Sequence, residues 1–397
     1  MQTETVTTDA PVLARLQNAA LIVGLVGLLA GIVGAFTNPD QFFRSWLLGF
    51  LFCLGLTMGS LALLMLQHMS GGQWGLVGRR IFEAASRTLP IVALVFIPLL
   101  FGLPRVFQWA QPDLVSKDVI LQKKAPYLNV PFFVGRAIFY FAVWLTCAFL
   151  LNKWSAMQEK KEIAVTPADT RRFRVLSAPG LLAYSLTMTF AVIDWIMSLD
   201  PHWYSTIFGL LLVVGQGLSA FAFVIAMLAL LAETPPLASY LRPRHFHDLG
   251  KLLFAFVMLW AYLGFSQFLI IWGGNLSEEV PWYLERMRGS WGYVALLLVF
   301  GQFALPFTLL LSASLKKNRF FLAKLAIGVL VMRFVDLLWL VAPNFEHHGF
   351  PFHWMDVAIP AGLAGLWLFL FARNLRSRTL LPLTDPYFQE AFAHEAH

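Results

Sequence analysis

The chain has 397 residues, 58% hydrophobic and 13% charged, with a formal net charge of +7. Soluble domains carry about 25% charged residues, so this composition excludes a soluble enzyme or a soluble nucleic-acid binder and predicts an all-α integral membrane protein. Cys53 and Cys147, the two cysteines, are too few for an iron–sulfur cluster or a structural zinc site.

The first fifteen residues are polar and include Glu4, Asp9 and Arg15. That is not the basic start of a signal peptide, so the first apolar run is expected to stay as a helix. Ten apolar runs of about 20 residues follow, at 17–37, 44–67, 88–108, 132–151, 176–198, 206–232, 249–273, 290–313, 320–342 and 355–373. The polar segments between them are short, and no soluble domain fits. Segment 83–87 is expected to lie as a short helix on the membrane surface. Nineteen lysines and arginines fall on the side of the N-terminus and eight on the other. The positive-inside rule then places both termini in the cytoplasm. Trp109, Trp203, Tyr204, Trp272, Trp282, Tyr283, Trp291 and Trp354 sit near run ends, where aromatic side chains anchor helices at the interface.

Two runs share an ending. Run five closes Val-Ile-Asp194 and reaches Pro201 seven residues later; run nine closes Phe-Val-Asp336 and reaches Pro343 at the same spacing. Both point outward. The single membrane domain, 1–397, is therefore expected to hold two parallel four-helix repeats, 44–198 and 206–342, flanked by the first and last helices.

Ionisable residues inside apolar runs are costly, about 2.5–3.5 kcal/mol at mid-helix on insertion scales, and so point to function or to pairing. Tyr184, Thr187, Asp194 and Ser198 share one face of run five, and Asp248, Lys251, Tyr262 and Ser266 share one face of run seven, with Gln267 at its edge. Arg333 and Asp336 are neighbours on run nine, while Lys324 lies on the opposite face and is expected to snorkel. Asp194 has no basic residue at i±3 or i±4, which favours a functional reading. Arg333 and Asp336 read equally as a self-cancelling pair or as functional charges. Capping and pairing account for Asp248 and Lys251; helix–helix hydrogen bonds account for the hydroxyls. Were helices five, seven and nine to face one another, these stripes would outline a proton path, with Asp248 and Lys251 inside and the two acids outside.

The nine histidines lie at run ends or in loops, so no axial pair for a membrane haem is expected. His347, His348 and His353 crowd one loop with Glu346 and Asp356, but their spacing matches no ligand pattern, and a solvated or partner-facing loop is expected there. Any redox role therefore needs a cofactor-bearing partner or a quinone.

Several stretches carry a family resemblance: Asp194-Trp-Ile-Met-Ser-Leu-Asp-Pro-His-Trp-Tyr-Ser-Thr-Ile-Phe-Gly209, His68-Met-Ser-Gly-Gly-Gln-Trp-Gly75 with Arg79, Arg80 and Glu83, His247-Asp-Leu-Gly-Lys251, Trp260-Ala-Tyr-Leu-Gly-Phe-Ser-Gln267, Trp272-Gly-Gly-Asn275 and Trp282-Tyr-Leu-Glu-Arg286. Over essentially its whole length the chain resembles the second quinone-binding-type membrane subunit of alternative complex III, a quinol:cytochrome c oxidoreductase. That family is similar to the polysulfide-reductase-like membrane subunits, built as two four-helix bundles with flanking helices. The resemblance implies a subunit with no haem or iron–sulfur group of its own. It also implies a homologous membrane sister, haem-c and iron–sulfur partner subunits, lipids around it, and a bound quinone as an open question. Asp194, Asp248, Arg333 and Asp336 would then line a proton path. Two other classes remain: a secondary transporter, whose matched broken helices are not seen here, and a structural scaffold in which Asp194 pairs silently with Arg333.

Overall fold

The computed structural model describes residues 11–160, 167–346 and 353–393. Among them no strand occurs, and ten helices are long and apolar enough to cross a membrane. These are α1 (Pro11–Thr37), α2 (Pro39–Ser70), α3 (Gln73–Phe101), α4 (Val130–Glu159), α5 (Thr170–Leu199), α6 (Phe208–Leu231), α7 (Pro243–Gly274), α8 (Ser290–Leu311), α9 (Arg319–Asn344) and α10 (Met355–Arg376). The protein is a multi-pass helical membrane protein. Hydrocarbon offers backbone amides no partner, so each crossing satisfies its own hydrogen bonds within a helix.

Local chemistry starts and stops these helices. Asn38 accepts a hydrogen bond from the Gln41 amide ahead of α2, Asn129 does the same for Phe132 in α4, and Asn318 for Phe320 and Phe321 in α9. Asn275, in the left-handed region at φ 48°, ends α7. Inside α8 the turn Val299–Ala304 widens to a π-helix. Pro306 follows it; proline has no N–H for the Gln302 carbonyl, and the wider turn absorbs that loss.

Two helices, α2 and α6, form the buried centre. They cross where Gly59 meets the backbone of Gln216: a Cβ on Gly59 would sit 2.1 Å from the Gln216 carbonyl oxygen. The centre is flanked by α3, α4 and α5 on the α2 side and by α7, α8 and α9 on the α6 side. On the periphery α1 and α10 lie against each other and against α2. The face of α1 toward α10 is a seam of glycines, Gly24, Gly27, Gly31 and Gly34, while Ile22, Val26 and Leu29 point outward. Small residues are what let two membrane helices approach closely, because no hydrophobic gain separates helix from lipid.

Two sequence expectations change here. Residues 83–87 do not lie on the surface. Glu83 is only 2% exposed and belongs to a buried helix, Gln73–Ser86, that runs into the rest of α3. It is held there by charge: Glu83 accepts from Arg80 at 2.8 Å, from Ser155 at 2.8 Å and from Arg378 at 3.2 Å. Arg79 pairs with Asp385 and donates to Gln67 at 3.1 Å. The segment after α10 thus folds back over the arginine-rich end, and buried acids and bases cancel in pairs. The second change concerns the aromatic belt. Trp272, Tyr204 and Trp354 are exposed as interface anchors should be, but Trp109, Trp203, Trp282, Tyr283 and Trp291 are buried. Trp203 and Trp282 stack face to face with ring centres 4.4 Å apart, so these rings tie the loops together instead of meeting lipid.

Candidate functional site

Asp194 is fully buried near the end of α5 remote from the arginine-rich side, and its charge is answered from α4. Arg136 grips it as a fork: Nε donates to Oδ2 and Nη2 to Oδ1, both at 2.8 Å. Tyr140 donates to the same Oδ2 at 2.9 Å. The remaining Arg136 nitrogen donates to the Tyr127 carbonyl at 2.9 Å, and the guanidinium lies 3.8 Å from the Tyr127 ring and 4.4 Å from that of Phe132. Ser198 donates to the Asp194 carbonyl at 2.5 Å and accepts from Trp109 at 3.1 Å. Both carboxylate oxygens are therefore occupied in a planar, bidentate pair, the strongest form of this contact. The absence of a basic neighbour within α5 was legible in the sequence. The partner was not, because it lies 58 positions away on another helix.

On α9 the expected neighbours do pair: Arg333 and Asp336 form a buried ion pair, beside the indole of Trp260. Arg333 reaches its place only because Gly215 on α6 has no side chain; a Cβ there would lie 2.2 Å from the Arg333 Nη2. Between α2, α5, α6 and α9 is a cavity of about 20 Å3 with Gln216, Ser219 and Arg333 in its wall. That is the room of a single water and too little for a quinone ring. Its polar wall continues along α5, where Tyr184 donates to Gln216 at 2.7 Å and Trp144 donates to Thr187 at 2.8 Å. Asp194 turns away from it toward α4, and neither acid pairs with the other's arginine. The scaffold reading in which Asp194 pairs with Arg333 is thus corrected: its partner is Arg136.

Helix seven corrects the proposed route. Asp248, Lys251, Tyr262 and Ser266 do share a face, but it looks outward. The phenol of Tyr262 is 65% exposed, Ser266 is half-buried, and Lys251 and Asp248 pair with each other at 3.0 Å near the surface. The buried face of α7 carries Leu249, Leu253, Val257, Leu263 and Ile271, with Gln267. Periodicity shows which residues share a side; it does not show which side the neighbours occupy. Lys324 is exposed, as expected of a snorkelling lysine.

The loop read as a cluster of histidines is tied differently. Glu346 pairs with Arg44 at 3.1 Å, and Asp356 accepts from Ser45 at 2.6 Å and from Gln41 at 2.7 Å. His347 and His348 lie outside the described residues.

Sequence reasoning assigned no role to two buried groups. Gln302, in the π turn of α8, is fully buried, and neither side-chain polar atom has a hydrogen-bond partner among the described residues. Arg286, in the short helix Val280–Met287, is 1% exposed. It donates to the carbonyls of Trp282 at 3.2 Å and Leu340 at 2.8 Å and to Asn344 at 3.0 Å, with Trp282's ring 3.6 Å from the guanidinium. Burial pushes its pKa down to about 9, against the pull of Asp200 and Glu285. A cation held by carbonyls and a π face needs a planar fork, which lysine lacks. Arg286→Lys is therefore expected to cost about 1–3 kcal/mol, read as a lower melting temperature of the purified protein, whereas Arg288→Lys should leave it unchanged.

No protein-family model and no curated protein matches this chain.

Proposed function

We propose that the protein is an integral subunit of a bacterial quinol:cytochrome c oxidoreductase of the alternative complex III type. In this reading it carries no haem or iron–sulfur group and sits in the cytoplasmic membrane with both termini inside. It works beside a homologous membrane sister and haem- and iron–sulfur-bearing subunits. The resemblance in the motifs around His68, Asp194, His247, Trp260 and Trp282 is the starting point. The observation that carries the subunit reading over a free-standing transporter is the outward face of α7. Tyr262 and Ser266 lie well inside the crossing, and their hydroxyls make no hydrogen bond among the described residues. A hydroxyl facing hydrocarbon without a partner costs about 2 kcal/mol or more, and helix–helix contacts are where such groups are used. A partner helix with polar side chains accounts for that stripe.

Extraction from native membranes in mild detergent tests this. The chain is expected to leave in an assembly that shows c-type haem absorbance; recovery of the chain alone, in every mild detergent tried, would favour the transporter. Tyr262→Phe combined with Ser266→Ala is expected to lower partner retention several-fold without moving the melting temperature of the isolated chain.

Proton movement is a narrower part of the same reading. The cavity at Gln216, Ser219 and Arg333 supports it, since polar walls and room for one water are what a relay step requires. The ion pairs at Asp194 and Asp336 then act as fixed charges beside the route instead of stations along it.

A further inference from the structure

On the face remote from the arginine-rich end, residues 107–129 join α3 to α4 and close over the Arg136–Asp194 pair. They are pinned near both ends. Trp109 donates to Ser198 at 3.1 Å, and the Tyr127 carbonyl accepts from Arg136 at 2.9 Å. Phe107, Leu121 and Leu128 are buried. Between these pins, residues 111–120 include no buried side chain, so core packing holds that stretch weakly.

Its tie to the loop between α5 and α6 is a carboxylate on a histidine. Asp118 uses both oxygens. Oδ1 accepts from the amides of Ile120 at 2.8 Å and Leu121 at 3.3 Å, which starts the short helix Val119–Lys124. Oδ2 lies 2.7 Å from Nε2 of His202. The other ring nitrogen, Nδ1, faces a second acid: it lies 3.9 Å from Oδ1 of Asp200. Two bases also face this loop. Lys124 donates to the Pro201 carbonyl at 2.6 Å, and Arg286 looks on from the short helix Val280–Met287. Both act on Asp200. The His202 side chain is 45% exposed, so bulk solution reaches it.

A neutral imidazole has one N–H and one lone pair. Set between two carboxylates, it can donate to one and must turn its lone pair toward the other. Only the charged ring offers a donor to each. We propose that His202 is a pH-operated clasp: charged, it draws Asp118 and Asp200 together and fastens residues 111–121; neutral, it lets that stretch loosen over the Arg136–Asp194 pair. Histidine is the side chain whose charge ordinarily changes between about pH 5 and 8. The added hold is therefore complete at the acidic end of that range and is lost as pH rises through it. The clasp is independent of the oxidoreductase reading and stands or falls separately from it.

Hydrogen exchange of the full-length protein in detergent, corrected for the intrinsic pH dependence of exchange, tests this. From about pH 6 to about pH 8 the amides of Ile120 and Leu121 are expected to open about threefold more often, the scale of a partly exposed ion pair. His202→Gln keeps a neutral donor at every pH. It should exchange alike at both pH values, at the rate of the unmodified protein at the higher one. Asp118→Asn keeps the helix cap and removes the charge, and it should flatten the dependence from the other side. The amides of Glu279 and Val280, in a different loop on the same face and bonded to the Leu276 carbonyl, should show no change. A pH-independent opening in the unmodified protein would overturn the proposal. So would a dependence that survives in both variants, or an equal loosening at Glu279 and Val280.

Discussion

Asp194→Ala is expected to destabilise the protein by about 3–5 kcal/mol, because it strands the Arg136 guanidinium, whose side chain is only 10% exposed, with its fork empty. The readout is the melting temperature and the folded yield in detergent. The reciprocal change, Arg136→Ala, should cost a similar amount, since it leaves the carboxylate with Tyr140 alone among the side chains that now bond it. The double variant Arg136→Met with Asp194→Leu separates charge from shape. Replacing both members of a buried pair by apolar residues of similar volume is often neutral, so the double variant is expected to recover most of the stability. A double variant as unstable as either single one would mean that the pair is held for its geometry. Asp194→Asn keeps the size and removes the charge. If the acid is a fixed charge, as its closed fork indicates, the proton-to-electron stoichiometry of the reconstituted assembly stays unchanged while stability falls. A lowered stoichiometry in a stable assembly would return Asp194 to the proton path.

Gly27→Leu is the second large effect. A Cβ at Gly27 would lie 2.3 Å from the Cα of Gly362 and 2.7 Å from the Ala358 carbonyl. These are backbone atoms and cannot step aside, so α1 must move off α10 as a body. Gly365 faces the same difficulty from the other side, 2.6 Å from the Gly24 amide nitrogen. Overpacking usually costs about 1–3 kcal/mol, and here the upper end is expected because no rotamer relieves it. The matched control is Gly328→Leu on α9, where a Cβ meets nothing within 4 Å. The first variant should lose most of its melting temperature gain from α1 packing and the second should lose almost none. Equal losses would show that the close approach of the two backbones at Gly27 is not what the leucine disrupts, since helix propensity alone favours leucine over glycine at both positions.

Arg136 shows why the candidate site was only half legible. The sequence displays Asp194 as an acid in an apolar run, and the cost of such a group demands a partner. Arg136 reads in sequence as one of the eight basic residues on the outer side, because it stands less than two turns inside the start of α4. Only the approach of α4 to α5 converts it into a ligand of the acid. Arg333 and Asp336, three positions apart on one helix, were readable as a pair because helix geometry alone brings them together. The outward turn of Tyr262 and Ser266 is the opposite case. Their common face follows from a period of 3.6 residues, but in a membrane both faces of a helix are apolar and neither is marked as inner.

From its sequence alone this protein was bound to be a multi-pass helical membrane protein, with ten crossing helices among the described residues, since runs of that length and apolarity leave the backbone no other way to satisfy itself. Depth along each helix, and therefore which charges are costly, followed from the same count. Which helix answers which charge was decided only by tertiary packing. It set Gly215 beside Arg333, folded Arg378 and Asp385 back over the arginine-rich end, and laid Asp118 against His202. Contacts between distant segments depend on how close two backbones come, and that distance is set by glycines and side-chain volumes on both partners at once.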